Sequence, residues 1–422
     1  MNETEIKHDI KVIQFIFYAF LLVAINIVFT LEYFERFQSI VSILQWGLYF
    51  YMIWNNRKVL MSRSRSIIMR SIQLFSFLYL LGIIISFIMG EPLDILLTHD
   101  IPWTICIFLP VGWSIISIHD YELCYRLFYK YSFLITTCCT IVFVNHILNP
   151  FGYTYDMNFS YTLLFPTLMH YSYYLKNKTK YHILLLAILE SIMLILYGSR
   201  AAIVAISTYA LLHMMLFYKG RSVKSAIFII CIGSIFYSNI SKINDFIESQ
   251  GIYSRVLLKL ANKDESQISG RANHWDTAID MIQDNPIIGY GLGGYYHAFI
   301  YKLKKQHPEE ATVVDPFTGD ESEIGASSSP AHSGFLDMIL FFGIFIGGFL
   351  SIWILFSIFS AHRLRDEWLF EIILIFYSIY IVTNMIFGGG IFTKSGCAIY
   401  LFLAYKYLKN KDITYNTKIF NL

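Results

Sequence analysis

Two arginines and a histidine stand out in this sequence for what their side chains could do together. Arg200 follows Gly198-Ser199 and is followed at once by the apolar Ala201-Ala202-Ile203. Its guanidinium is planar and always charged, so it can grip a phosphate or carboxylate with two parallel hydrogen bonds. The competing reading is an interfacial anchor that touches lipid phosphate. Arg271 follows Ser269-Gly270, at what the periodicity predicts to be the opening of an amphipathic helix. There the positive end of the helix dipole would add to its attraction for an anion. A loop arginine paired with Asp276 or Asp280 is the plain alternative. His332 lies in Pro330-Ala-His-Ser-Gly-Phe-Leu-Asp337. An imidazole with an ordinary pKa of about 6.5 is suited to taking a proton from a hydroxyl at neutral pH, although a lone histidine at such a place can also be a polar boundary residue. Asp337 could orient that imidazole or face a polar cavity. Arg255, Asn273, Trp275 and Tyr296 complete the set of candidate supporting residues.

These residues must be positioned by a chain that is 56% hydrophobic and only 15% charged, with a mean hydropathy of +0.53. Average soluble domains are about 45–50% apolar and about 25% charged, so an ordinary cytosolic enzyme is excluded. The apolar residues come in runs long enough to cross about 30 Å of hydrocarbon. About twelve spans are predicted, near 10–31, 38–54, 70–90, 101–118, 128–148, 160–175, 180–198, 201–218, 223–240, 333–360, 369–387 and 388–407. A formal charge of +2 gives no electrostatic case for nucleic acid. Of the six cysteines, Cys124 is expected in a short connector and the others in apolar runs, with no disulfide framework. The run Ile10 to Leu31 is too long for the apolar part of a cleavable signal.

Orientation follows from the basic residues, which cytoplasmic loops carry in excess. With the N-terminus inside, inward segments hold 21 of the 32 lysines and arginines, while the short outer loops hold only Arg36, Arg200 and Lys394. Both termini are then cytoplasmic. The remaining basic residues fall in one long hydrophilic stretch, 241–332, placed on the extracytoplasmic side. The expected organisation is therefore a membrane region over 1–240, an extracytoplasmic loop over 241–332 and a second membrane region over 333–422. The loop has a helical pattern of its own, with Trp275, Ile279 and Ile282 on one predicted face. Pro286 and the glycines at 289, 291, 293 and 294 are predicted to break that helix. A connection of this length with its own helices and aromatics points to function.

Three further signals are weaker. Gly289-Tyr-Gly291-Leu-Gly293-Gly294 has the look of a nucleotide loop, but no βαβ unit surrounds it. The histidines at 274, 297 and 307 lack metal-ligand spacing, so no metal is expected. Glu190, inside a predicted span, could mark a proton path or make a hydrogen-bonded helix contact, and the contact is favoured.

Four segments together resemble the O-antigen ligase and polymerase family of bacterial surface polysaccharide assembly. They are Gly198-Ser-Arg-Ala-Ala202, Ser269-Gly-Arg-Ala-Asn-His-Trp275, Asp284-Asn-Pro-Ile-Ile-Gly-Tyr-Gly-Leu-Gly-Gly-Tyr295, and Ala331-His-Ser-Gly-Phe-Leu336 followed by Phe342-Gly-Ile-Phe-Ile-Gly-Gly348. The match covers roughly residues 195–350; the first five spans match in hydropathy alone. Many relatives have Asn after the histidine, where this chain has Ser333. The resemblance implies an all-α polytopic glycosyltransferase of the GT-C type in the bacterial plasma membrane, with short helices in its long outer loop. Its substrate would be an undecaprenyl-diphosphate-linked glycan, with no nucleotide sugar, cofactor or metal. Arg200 and Arg271 would neutralise the pyrophosphate leaving group, and His332 would help deprotonate the acceptor hydroxyl. A chain-length regulator and a flippase would be its partners beside the bilayer.

Polymerase and ligase share this donor chemistry. The abundance of Ile, Lys, Asn, Phe and Tyr favours a polymerase of a capsule or exopolysaccharide cluster. A transporter or lipid-linked oligosaccharide flippase also suits about twelve spans. Such carriers tend to show paired halves, whereas nine spans, a long loop and three spans are asymmetric.

Overall fold

The computed structural model describes residues 3–28, 35–62, 65–90, 120–148, 157–197, 200–217, 265–308, 312–314, 321–323, 331, 333–361 and 367–386. Helices run through most of them: α1 (Glu3–Val28), α2 (Glu35–Ser62), α3 (Arg65–Ile88), α4 (Tyr121–Leu148), α5 (Met157–Lys176), α6 (Tyr181–Tyr197), α7 (Arg200–Phe217), α8 (Glu265–Asp284), α9 (Gly291–Gln306), α10 (Gly334–Ala361) and α11 (Glu367–Tyr380). A π-helical turn, Ile381–Ile386, continues α11. The departure from helix is a short antiparallel hairpin of β1 (Thr312–Val314) and β2 (Glu321–Glu323), in register Thr312 to Glu323. It modifies the all-α expectation, and the β-branched Thr-Val-Val of β1 suits a strand.

Helices lie where nine of the predicted spans were expected, and the spans at 101–118, 223–240 and 388–407 lie outside the described residues. Two stretches, Tyr121–Asn145 and Gly334–Phe356, are both long and apolar enough to cross a membrane; Ser76–Ile88, Tyr181–Leu196, Ala201–Leu216 and Phe370–Thr383 are shorter apolar helices. Side chains are arranged for lipid rather than water. Ile43, Trp54, Phe87, Phe345 and Phe349 point outward and are exposed, while Ser132, Thr167, His170, Glu190 and Glu371 are buried. Apolar surface of that extent is what a bilayer covers, and polar groups within a bilayer must find partners inside the protein.

The chain divides into two compact units. The first holds α1, α2, α4 to α7 and α11 up to Ile379. In it α5 packs on α4, α6 and α7, and α1 packs on α2 and α4. Phe165 bridges Phe128 at 5.9 Å and Phe376 at 5.4 Å between ring centroids. Cys124 is buried within α4 rather than in a connector, because that helix begins seven residues before the predicted span.

Buried acids of this unit are satisfied by hydrogen bonds between helices. Glu190 accepts from Thr136 Oγ1 and faces His170 Nδ1 at 2.9 Å, and His170 Nε2 lies 2.8 Å from Ser132 Oγ. Glu371 accepts from Ser172 Oγ and Tyr209 OH, each at 3.1 Å, and faces His213 Nε2 at 3.0 Å. Tyr125 OH joins this second network through Ser172 Oγ at 2.7 Å. Glu190 is thus a hydrogen-bonded helix contact, as its position in a predicted span suggested. Leaving either carboxylate without its partners would cost about 3–5 kcal/mol, so these pairs fix how α4, α5, α6, α7 and α11 meet.

The second unit contains α3 from Ser66, α8, α9, the hairpin and α10 to Ser360. Helix α8 ends at Asp284 because Asn285 precedes Pro286, which removes a donor and excludes its predecessor from helical geometry. The turn through Asn285–Tyr290 then returns the chain as α9, forming a helical hairpin. Lys302 Nζ meets Asp284 Oδ2 at 2.6 Å, Gln306 Nε2 donates to Asp280 Oδ2 at 2.7 Å, and Thr277 Oγ1 donates to Gln306 Oε1 at 3.1 Å. The buried face of α8 is His274, Thr277, Ala278 and Met281. The predicted face of Trp275, Ile279 and Ile282 is therefore corrected by one position: Ile279 is exposed, as are Ile287 and Ile288 in the turn. The α9-facing side is mixed in polarity because it carries the Thr277–Gln306 bond, and apolar content alone pointed to the wrong side.

Helix α10 is broken at Gly343, whose φ of 75° and ψ of 172° only glycine adopts readily. The interruption frees backbone groups, and the turn between α8 and α9 takes them up. Tyr290 N–H donates to Leu340 O at 2.7 Å, and Ile344 N–H donates to Pro286 O at 2.8 Å. The approach is too close for side chains. A Cβ on Gly343 would lie 1.9 Å from Ile287 O, and one on Gly289 would lie 2.6 Å from Leu340 O. Non-helical backbone inside an apolar span is tolerated only where protein satisfies it, as here.

Candidate functional site

Arg200 is the first residue of α7, and α6 ends at Tyr197. Its place at the start of a span is that expected from the sequence. A cation at the positive end of a helix is unfavourable by about 0.3–1 kcal/mol unless an anion is bound there.

Arg271 is placed differently from its expectation. Helix α8 begins at Glu265, so Arg271 is in its second turn and does not open it. The helix dipole acts mainly within the first turn, so its contribution to an anion at Arg271 is smaller than the sequence suggested. Ser269-Gly270 reads as a boundary, yet a single glycine costs a helix only about 1 kcal/mol. Asp280, one of the two acids considered as a partner for Arg271, accepts from Gln306. Two residues on, Asn273 is half-buried, and His274 packs its ring on Phe299 at 5.6 Å. Trp275 is half-buried with Nε1 enclosed and without a hydrogen-bond partner among the described residues. An orphaned donor of this kind costs about 1–3 kcal/mol until an acceptor reaches it.

His332 and Arg255 lie outside the described residues, but the neighbours of His332 are held on both sides. Ala331, fully buried, donates its N–H to Tyr295 OH at 3.1 Å. Ser333 O accepts from Asp337 N–H at 2.9 Å in the first turn of α10. Tyr295 OH in turn donates to Asp337 Oδ1 at 2.5 Å. Asp337 is 1% exposed. One buried tyrosine thus ties α9 to both ends of the segment that carries His332. Its ring is wedged against Phe341 at 5.1 Å and Phe299 at 5.8 Å. Asp337 makes a bond that neither expected role foresaw, accepting from Tyr295 and bracing this segment.

The sequence draws attention to Tyr296 rather than to Tyr295, the residue before it in α9. The signal for Tyr295 is in the spacing Leu292, Tyr295, Phe299 and Leu303, all at most 1% exposed and forming one helical stripe. Gly289 and Gly291, which resemble part of a nucleotide loop, serve packing. A Cβ on Gly291 would lie 2.4 Å from Ser86 N of α3, and one on Gly82 would meet Leu292 at 2.5 Å. Arg271, Tyr295 and Asp337 belong to the second unit and Arg200 to the first.

Compared with known families, residues 183–352 match the family model described as O-antigen ligase. The matched stretch contains Arg200, Arg271, Tyr295, His332 and Asp337. No curated protein matches the chain.

Proposed function

We propose, from the match of residues 183–352 to the O-antigen ligase family model, that this integral membrane protein polymerises lipid-linked oligosaccharide repeat units. The match implies a glycosyltransferase-type enzyme working on a lipid-linked glycan in a membrane. The finer reading is that the donor glycan is carried on undecaprenyl diphosphate and extended at the outer face of the bacterial plasma membrane. It takes a GT-C-like protein of about twelve spans, with both termini cytoplasmic and residues 241–332 outside. The observation that carries it is that one family domain spans both arginines and the histidine.

The chemistry follows from charge. The acceptor hydroxyl oxygen forms a bond to the anomeric carbon as the bond from that carbon to the diphosphate oxygen breaks. Negative charge grows on the departing diphosphate, and Arg200 and Arg271 stabilise it as fixed cations, which is the largest help such a step can receive. His332 takes the hydroxyl proton from the opposite face, so the anomeric configuration inverts. Asp337 and Tyr295 hold the backbone on either side of His332; Asn273, Trp275, Tyr296 and Arg255 would act in support. No metal or cofactor enters this scheme. A chain-length regulator and a flippase would work beside the enzyme.

A second reading, transfer of finished glycan to another acceptor, is favoured by the ligase description of the matched family. Purified protein given a lipid-linked repeat unit alone separates the two. Polymerase activity yields a ladder of lipid-linked products with no added acceptor. If glycan moves only when a second acceptor is supplied, the protein is a ligase and the polymerase reading fails.

A further inference from the structure

Helices α8 and α9 enclose an open cleft of about 710 Å³ that the transfer chemistry leaves unused. This is within the size range of small-ligand sites. Its walls combine two features. Tyr301 presents a ring that is 74% exposed, and Tyr290, held by its OH donating to Met281 O at 3.1 Å, supplies a second aromatic surface. His297, Lys302 and Lys305 also line the cleft. Lys302 is paired with Asp284, which neutralises the acid on the rim. Helix α9 itself carries Lys302, Lys304 and Lys305 and contains no aspartate or glutamate. Of the charged side chains that line the cleft, Lys302 and Asp284 offset each other and Lys305 is left as the one surplus positive charge. The polar groups of the cleft are also fixed, since Gln306, at one end, is bonded to both Asp280 and Thr277.

An exposed aromatic face beside immobilised hydrogen-bonding side chains suits a sugar ring, whose C–H face packs on the aromatic while its hydroxyls meet the polar groups. Lys305 favours a sugar bearing carboxylate or phosphate. A lipid headgroup would need the charge but not the exposed aromatic wall. We propose that this cleft is a second saccharide-binding subsite, which takes an acidic segment of the glycan on Tyr301 with Lys305 as the charge partner. Arg271 lies ten residues before Met281 on the same helix, about 15 Å along its axis. On the reading that Arg271 holds the diphosphate, the subsite engages sugars a short distance from the reacting end and retains the chain between additions.

The test is direct binding to the purified full chain in detergent, with a hyaluronan hexasaccharide as acidic probe and maltohexaose as neutral probe. The acidic probe should bind at least about 10-fold tighter, with the preference shrinking as salt is raised. Tyr301→Ala and Lys305→Gln should each weaken it by about 5–10-fold while leaving the melting temperature unchanged. Equal affinity for both probes, or undiminished binding in both variants, overturns the proposal. So does binding that is abolished by phosphatidylglycerol micelles but not by the neutral lipid, because the cleft would then be a headgroup site. No lipid-linked donor is used, so a failure of binding is distinct from a failure of polymerisation. If both hold, Tyr301→Ala should shorten the ladder without abolishing the first addition.

Discussion

Replacing Gly343 by alanine tests the contact that joins the α8–α9 hairpin to α10. The new methyl would sit 1.9 Å from Ile287 O, at a φ of 75°. A non-glycine residue in this backbone region costs about 1–3 kcal/mol in strain alone. Relief by moving the turn away breaks the bonds from Tyr290 N–H to Leu340 O and from Ile344 N–H to Pro286 O. Each orphaned group costs about 1–3 kcal/mol where water cannot replace the partner. The sum is about 3–9 kcal/mol, a large share of the stability of any domain. Gly348, five residues on in the same helix, has nothing within 4 Å of where a methyl would be added, and its φ is an ordinary helical one. Gly348→Ala should be neutral or stabilise by up to about 1 kcal/mol through helix propensity. Thermal unfolding in detergent, followed by tryptophan fluorescence, should show Gly343→Ala lowered by about 10 °C or more and Gly348→Ala unchanged or raised. Equal melting of Gly343→Ala and wild type would refute the backbone dock. A comparable loss in Gly348→Ala would show that any added methyl in α10 is harmful and that the dock is not the cause.

Two further substitutions report on the buried polar groups. Tyr295→Phe keeps the ring between Phe299 and Phe341 but removes the hydroxyl that serves Ala331 and Asp337. It should cost about 1–3 kcal/mol and lower kcat more than KM in a transfer assay; an unchanged kcat would show that this bridge does not position the His332 segment. Glu371→Ala strips the shared acceptor from Ser172, Tyr209 and His213. It should destabilise the first unit by about 3–5 kcal/mol, and limited proteolysis of the variant at wild-type rates would contradict that.

Much of the helical layout is legible because apolar runs of membrane length are bounded by basic clusters, and α4 and α10 lie close to their expected places. The Pro286 and Gly289 break is legible for a related reason: those residue types impose or permit unusual backbone conformations. The use to which the break is put is not. The partner of the turn is the Gly343 interruption of α10, and nothing local in either segment names the other. The pairing of Glu190 with His170 and of Glu371 with His213 is hidden likewise, since α5, α6, α7 and α11 meet only in the folded unit. At the site, the start of α7 at Arg200 is legible from Gly198-Ser199. The position of Arg271 in its helix is not, because Ser269-Gly270 reads as a boundary and the helix runs through it. Tyr295 stands beside an equally aromatic neighbour, and only the three-dimensional stripe distinguishes them.

Extension of an undecaprenyl-diphosphate-linked repeat unit by purified wild-type protein, beside Arg200→Ala, Arg271→Ala and His332→Ala, tests the proposed chemistry most directly. Loss of one charge-stabilising group in such a site typically costs about 100–1,000-fold in rate. The wild type should give a ladder, and each variant, with an unchanged melting temperature, should give none on the same time scale. A folded His332→Ala or Arg200→Ala protein that extends the substrate at the wild-type rate would contradict the assignment of these residues to one transfer site.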